Sequence, residues 1–149
     1  MISRELSVIF PIYNEQETIR ETLTEWRDTL DKLQINYEII LAEDGSTDNT
    51  KDILKDLLIN NRDLFVSNIE DKKRGYANAI RSSVKIAKGK YILNVDSDGQ
   101  CDPKDFINFW EKRDHLESGI IIGHRHNRKD SLQRLLMSKF FLILHRILF

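Results

Sequence analysis

Short apolar runs alternate along this chain with segments whose apolar residues recur three and four positions apart, and this alternation restricts the fold more than any other feature. "LSVIFPI" (Leu6–Ile12) reads as a buried strand, and Ile19, Leu23, Trp26, Leu30 and Leu33 follow it at helical spacing. "YEIILAEDG" repeats the strand signal from Tyr37, and "STDNTKDILKDLLINN" repeats the helix with Ile53, Leu54, Leu57 and Leu58 inward. "LFVSNI" is a weaker third strand, followed by a helix marked by Ala77, Ile80, Val84 and Ala87 and closed at Gly89. "YILNV" is the fourth strand; Asp102 and Pro103 then begin a helix with Phe106, Phe109 and Trp110 on its inner side. "GIIIG" (Gly119–Gly123) supplies a fifth strand, and Asn14 with Glu17 predicts a capping box for the first helix. Uniformly apolar strands alternating with helices predict an α/β fold with a mostly parallel sheet covered on both faces. In such sheets ligands bind beyond the carboxyl ends of the strands, where this chain carries "YNE", "EDGS" and "DSDGQ".

At 149 residues the chain suits one domain. Its net charge of −1 argues against a bulk electrostatic affinity for nucleic acid. A single cysteine, Cys101, can form no internal disulfide, which suits a reducing compartment. The N-terminus has too short an apolar core for a secretory signal and is read as mature, cytoplasmic protein. No uninterrupted apolar run reaches the roughly 18 residues of a spanning helix. The greasy final stretch "SLQRLLMSKFFLILHRILF" ends without Gly, Pro or a polar tail, as a cut end does.

Asp96 and Asp98 stand where the fourth strand ends, and alternation sends both the same way. Two converging carboxylates need solvent, a cation or a shared proton to relieve their repulsion. A solvated turn capping the next helix is one reading. A calcium loop fits poorly, because Gly99 arrives at the fourth position and an EF-hand wants its glycine at the sixth. A haloacid dehalogenase-type phosphatase, with Asp96 as nucleophile, is a rival weakened by Gln100 and by the motif's place late in the chain. The remaining reading is Mg²⁺ or Mn²⁺ bridging a diphosphate, with the amide oxygen of Gln100 as a further ligand. No P-loop and no GxGxxG after the first strand are present to hold phosphates by glycine amides.

"VIFPIYNEQETI", "EDGSTDNT", "KKRGYANAI" and "DSDGQCDP", in that order over nearly the whole chain, resemble the family 2 glycosyltransferases. The DxDGQ form followed by "GHR" is most similar to the polyprenol-phosphate branch, which includes dolichol-phosphate mannosyltransferases. The resemblance implies a Rossmann-like GT-A domain that binds a nucleotide-diphosphate sugar at the strand edge. Pro11, Tyr13 and Glu15 are then expected along base and ribose, with Asp44 accepting from a base N–H; with Gly45, Ser46 and Thr47, Asp44 could instead shape a turn. Lys73 and Arg74 are expected at the base or phosphates, although "DKKR" equally fits a solvated charge run. Asp96, Asp98 and Gln100 are expected to hold the metal. "IRSSV" stands where the family commonly has a further glycine in the third helix, which puts close helix approach in doubt, and His124 replaces a small residue.

Arg134 and Ser138, four apart, share a helix face and could contact one phosphate together. The resemblance implies that they meet the acceptor phosphate, with Arg125 nearby and catalytic alongside Asp96 and Asp98. Leu136, Phe140, Ile143, Leu144 and Ile147 form an apolar arc suited to an interfacial helix, or to an ordinary core helix. The expected organisation is one domain, with a donor-binding half over 1–100 and the start of an acceptor region over 101–149, truncated at its C-terminus. The expected activity is inverting transfer of a sugar from a nucleotide diphosphate to a polyprenyl (dolichyl or undecaprenyl) phosphate at the cytoplasmic face of a membrane. The alternatives are a hydroxyl acceptor, a phosphatase, and a noncatalytic nucleotide-binding module.

Overall fold

The computed structural model describes residues 4–61, 65–115, 119–123 and 140. The chain divides into two compact units, 1–112 and 113–149. The first is a four-stranded parallel sheet in the order β3-β2-β1-β4, built from β1 (Leu6–Ile12), β2 (Tyr37–Asp44), β3 (Phe65–Glu70) and β4 (Tyr91–Asn94). Four helices alternate with them: α1 (Ile19–Lys32), α2 (Thr50–Asn60), α3 (Tyr76–Ile86) and α4 (Pro103–Lys112). β1 and β2 are buried along their whole length, as strands covered on both faces must be.

One face carries the larger core. Leu6, Val8, Phe10 and Ile12 of β1 and Ile39 and Leu41 of β2 pack there against Leu23, Trp26 and Leu30 of α1, Leu54 of α2 and Phe106 of α4. An aromatic series crosses this core, Phe10 edge-on to Trp26 at 5.8 Å, Trp26 to Phe106 at 5.9 Å and Phe106 to Trp110 at 5.8 Å. The other face is smaller: Ile9, Ile40 and Ala42 meet Ala79 of α3. The strand order explains the change of side. The chain steps outward from β1 through β2 to β3, then returns across the sheet to β4, and a right-handed crossover in the reverse direction must use the opposite face.

Three expectations change. α1 has no capping box: its N-cap is Thr18, without a side-chain cap, and Asn14 sits at φ +55° bonded to a different loop. On α3 the buried positions are Ala79 and Ser83, while Val84 is exposed. The helix lies over β1 and β2, and small side chains permit that approach where Val84 would hold it off. Ser83 also accepts from Asn68 Nδ2 of β3 at 2.8 Å, so a serine serves where a glycine was expected. Finally, residues 119–123 are not a strand, and Ile120 and Ile122 are 71% and 83% exposed. An isoleucine run becomes a strand only with a neighbouring ladder to complete its hydrogen bonds, and the described sheet has four strands. In this second unit Arg113–His115 form a 3-10 turn, and Phe140 is helical and exposed. Among the described residues no helix is long and apolar enough to cross a membrane.

Candidate functional site

At the carboxyl edge of the sheet the loops after β1 and β2 are fastened to each other by side chains that accept from backbone amides. Asn14 N–H donates to Ser46 Oγ (3.0 Å), and Thr47 N–H donates back to Asn14 Oδ1 (2.8 Å). Glu15 N–H donates to Thr50 Oγ1 (2.9 Å), Gln16 N–H to Asp48 Oδ2 (3.3 Å) and Asn49 N–H to Gln16 Oε1 (3.1 Å). Beneath them the Ser46 amide donates to the fully buried Glu43, whose second oxygen lies 3.8 Å from Lys51 Nζ. Asp48 thereby accepts from Gln16 N–H and from Thr50 N–H. Burial acts to raise the Asp48 pKa, but the Thr50 hydroxyl, the Thr50 amide and the Gln16 amide outweigh it and hold the carboxyl below its ordinary value.

Asp44 reaches the third loop. Only 4% exposed at the end of β2, it accepts from Arg74 N–H at 2.7 Å on Oδ1, and from Gly75 N–H at 2.9 Å on Oδ2 and 3.2 Å on Oδ1. That leaves about one of the four acceptor positions of a carboxylate open. Gly75 is the N-cap of α3 at φ +94°, a conformation glycine adopts without steric cost. Gly45, at φ +74°, is equally constrained: a Cβ there would run into the Lys73 amide and sit 2.6 Å from the Lys72 carbonyl carbon. The loop after β4 is held in turn by Ser97, whose buried hydroxyl donates to the Pro11 carbonyl at 2.8 Å.

Asp96 lies just past β4, exposed, and accepts from the Tyr76 hydroxyl at 3.4 Å. Asp98 is half-buried and accepts from Gln100 N–H at 3.0 Å, an Asx turn that uses one of its oxygens. By strand alternation Pro11, Asp44 and Asn94 belong to the α3 face. Gln100 lines a cleft with Glu25, Asp28, Thr29 and Lys32 of α1. Among the described residues no three His, Cys, Asp or Glu side chains are grouped as an all-protein metal cage needs. Asp96 is exposed and Asp98 half-buried, so solvent or a ligand can reach both carboxylates.

The remaining expected residues fall as follows. Lys73 Nζ lies over the Tyr13 ring, 3.4 Å from its centroid, a cation–π contact on the ring face that a base could use. The Arg74 guanidinium pairs with Glu70 at 2.6 Å, while its backbone amide donates to Asp44. Glu15 Oε2 accepts from the Thr18 hydroxyl at 3.0 Å at the entry to α1. Pro11 is buried. Arg125, Arg134 and Ser138 lie outside the described residues. Sequence reasoning singled out neither Tyr76 nor Asn94, whose side chains meet at 3.0 Å beside Asp96; Tyr76 lies within the "KKRGYANAI" segment and Asn94 two residues before "DSDGQ".

The model of the family described as "Glycosyl transferase family 2" matches residues 7–148. Among curated relatives, the undecaprenyl-phosphate 4-deoxy-4-formamido-L-arabinose transferase of Pseudomonas fluorescens (strain SBW25) is 31% identical over 129 residues. The dodecaprenyl-phosphate galacturonate synthase of Rhizobium johnstonii is 30% identical over 137 residues. Each alignment takes in 87% of this chain and 38% of the relative, so the chain spans well under half of their length. Among solved structures, residues 1-349 of S. aureus TarS superpose with a TM-score of 0.53 at 27% identity, covering 74% of this chain and 33% of that one. The same protein has been solved in complex with UDP, with the same scores.

Proposed function

This chain belongs to glycosyl transferase family 2, and from that premise we propose that it transfers a sugar from a nucleotide-diphosphate donor to a polyprenyl phosphate, with inversion at the anomeric carbon. One observation carries the donor half of the reading: Asp44 and Asp96, from strands on either side of β1, come to one sheet edge, where the first turn of α3 touches both. The base is assigned to the Tyr13 and Asp44 side, with the open acceptor position of Asp44 facing a base N–H. The diphosphate is assigned to Asp96 and Asp98; Gln100, which lines the cleft beside α1, joins them only if its side chain turns toward that edge. Mg²⁺ or Mn²⁺ held there would neutralise charge growing on the leaving diphosphate. Membership of this family also sets aside the phosphatase reading of the same acids.

Two relatives named for polyprenyl-phosphate transfer support the acceptor half, and Arg125, Arg134 and Ser138 are assigned to the acceptor phosphate at a membrane surface. A lipid phosphate is already anionic and attacks without the carboxylate base that an alcohol acceptor needs. Titration calorimetry of UDP and GDP with and without Mn²⁺ tests the donor half: Asp98→Ala is expected to abolish the metal-dependent part of binding and to leave the fold intact. Equal affinities in all conditions overturn the metal assignment. Glycosylation of soluble alcohols but not of polyprenyl phosphate overturns the acceptor assignment.

A further inference from the structure

Tyr76 opens α3, and its side chain stands over the end of β4. Asn94, the last residue of that strand, donates from Nδ2 to the Tyr76 hydroxyl oxygen at 3.0 Å, and the hydroxyl donates to Asp96 Oδ1 at 3.4 Å. A phenol has one proton and can accept as well; an asparagine NH₂ can only donate, so the proton of Tyr76 is left to point at the carboxylate. Asn94 and Asp96 are two positions apart on the same side of the extended chain, which is why one hydroxyl reaches both. The backbone under Tyr76 is fixed from the other side of β1, since Asp44 accepts from the amides of the two residues before it.

We propose that Tyr76 is a positioning residue: its hydroxyl, oriented by Asn94, holds one oxygen of Asp96 so that the other is presented to the divalent ion of a bound nucleotide diphosphate. This rests on the donor site proposed above. Removing the hydroxyl lets the Asp96 carboxylate rotate freely, which weakens binding of the ion and leaves the base contacts alone. The experiment is a Mn²⁺ titration followed by electron paramagnetic resonance, with UDP present, on the wild-type chain, Tyr76→Phe, Asn94→Ala and Asp98→Ala. Tyr76→Phe keeps the ring and is expected to raise the Mn²⁺ concentration at half-saturation roughly fivefold, the scale of the net contribution of one ordinary hydrogen bond. UDP affinity without metal and the melting temperature are expected to stay as in wild type, which a merely structural role would not predict. Asn94→Ala, which releases the hydroxyl without removing it, should shift the titration less and in the same direction. A wild-type Mn²⁺ titration in Tyr76→Phe overturns the proposal, as does a larger shift in Asn94→Ala; if Asp98→Ala still loses Mn²⁺, the donor site itself stands. A wild-type chain with no UDP-linked Mn²⁺ binding overturns both.

Discussion

Asp44 shows how one side chain can belong to the fold and to the site together. Its carboxylate accepts from two backbone amides some thirty residues further along the chain. Asparagine at 44 keeps one acceptor oxygen and sets an NH₂ against an N–H. We therefore expect Asp44→Asn to lower stability to urea by about 1 to 3 kcal/mol, the cost of a buried donor left unpaired. Nucleotide affinity is expected to fall with it, since the position assigned to the base N–H shares the same group. Full stability in the variant would show that the Arg74 and Gly75 amides do not depend on this residue. The place of Asp44 was legible, because an acid before glycine at the end of an apolar run marks a strand edge. Its partners were not, since nothing within "KKRGY" announces that those amides face another loop. Tyr76 escaped for a related reason: an aromatic residue at a helix start has no periodic signal, and only the juxtaposition with Asn94 and Asp96 gives it a role.

Among the elements, the segment joining β2 to α2 depends on charge. Asp48 has its carboxyl held below the ordinary carboxylate value through its bonds to Thr50 and Gln16. A depressed folded-state pKa means that the unfolded chain takes up the proton first. The contribution of Asp48 is thus complete above about 3.9, the unfolded value, and is lost as pH falls through the lower folded one. Melting temperatures measured from pH 7 down to 2.5 should fall less steeply at the acid end in Asp48→Asn than in wild type. Parallel curves would mean that the bonds to Thr50 and Gln16 persist in the protonated form. Elements differed in how openly the sequence declared them. β1 runs from Leu6 to Ile12 as its apolar run predicts, and α1 buries Ile19, Leu23, Trp26 and Leu30 as its spacing predicts. α3 broke the pattern because distance of approach, rather than hydrophobicity, chose its inner face. The side chains that fit closely over β1 and β2 are Ala79 and Ser83, and a hydropathy pattern ranks Ser83 as outward.

For the molecule as a whole, both ends of the sheet are tied, but by different means. At the amino end Ser7 donates to the buried Glu38 at 2.6 Å, Gly89 N–H donates to Ser7 at 2.8 Å, and a Cβ on Gly89 would collide with the backbone of Ser7. At the carboxyl end the ties run from loop to loop. The parallel architecture was legible because uniformly apolar strands need cover on both faces, whereas the Gly119–Gly123 run was over-read because strand pairing is a property of two segments and a sequence shows one at a time. The loop ties have a further consequence for how the native state breathes. The amides of Asn14, Glu15 and Thr47 sit in surface loops, and those of Arg74 and Gly75 just before α3, so each alone would be a candidate for rapid hydrogen exchange. Yet each is bonded to a side chain thirty or more residues away. No single loop can open without releasing its partner. In native-state hydrogen–deuterium exchange these amides should therefore be protected and exchange together as one cooperative unit, slower than the amides of the exposed turn at 71–72; independent rates for the three loops would show that the rim is only a set of separate turns.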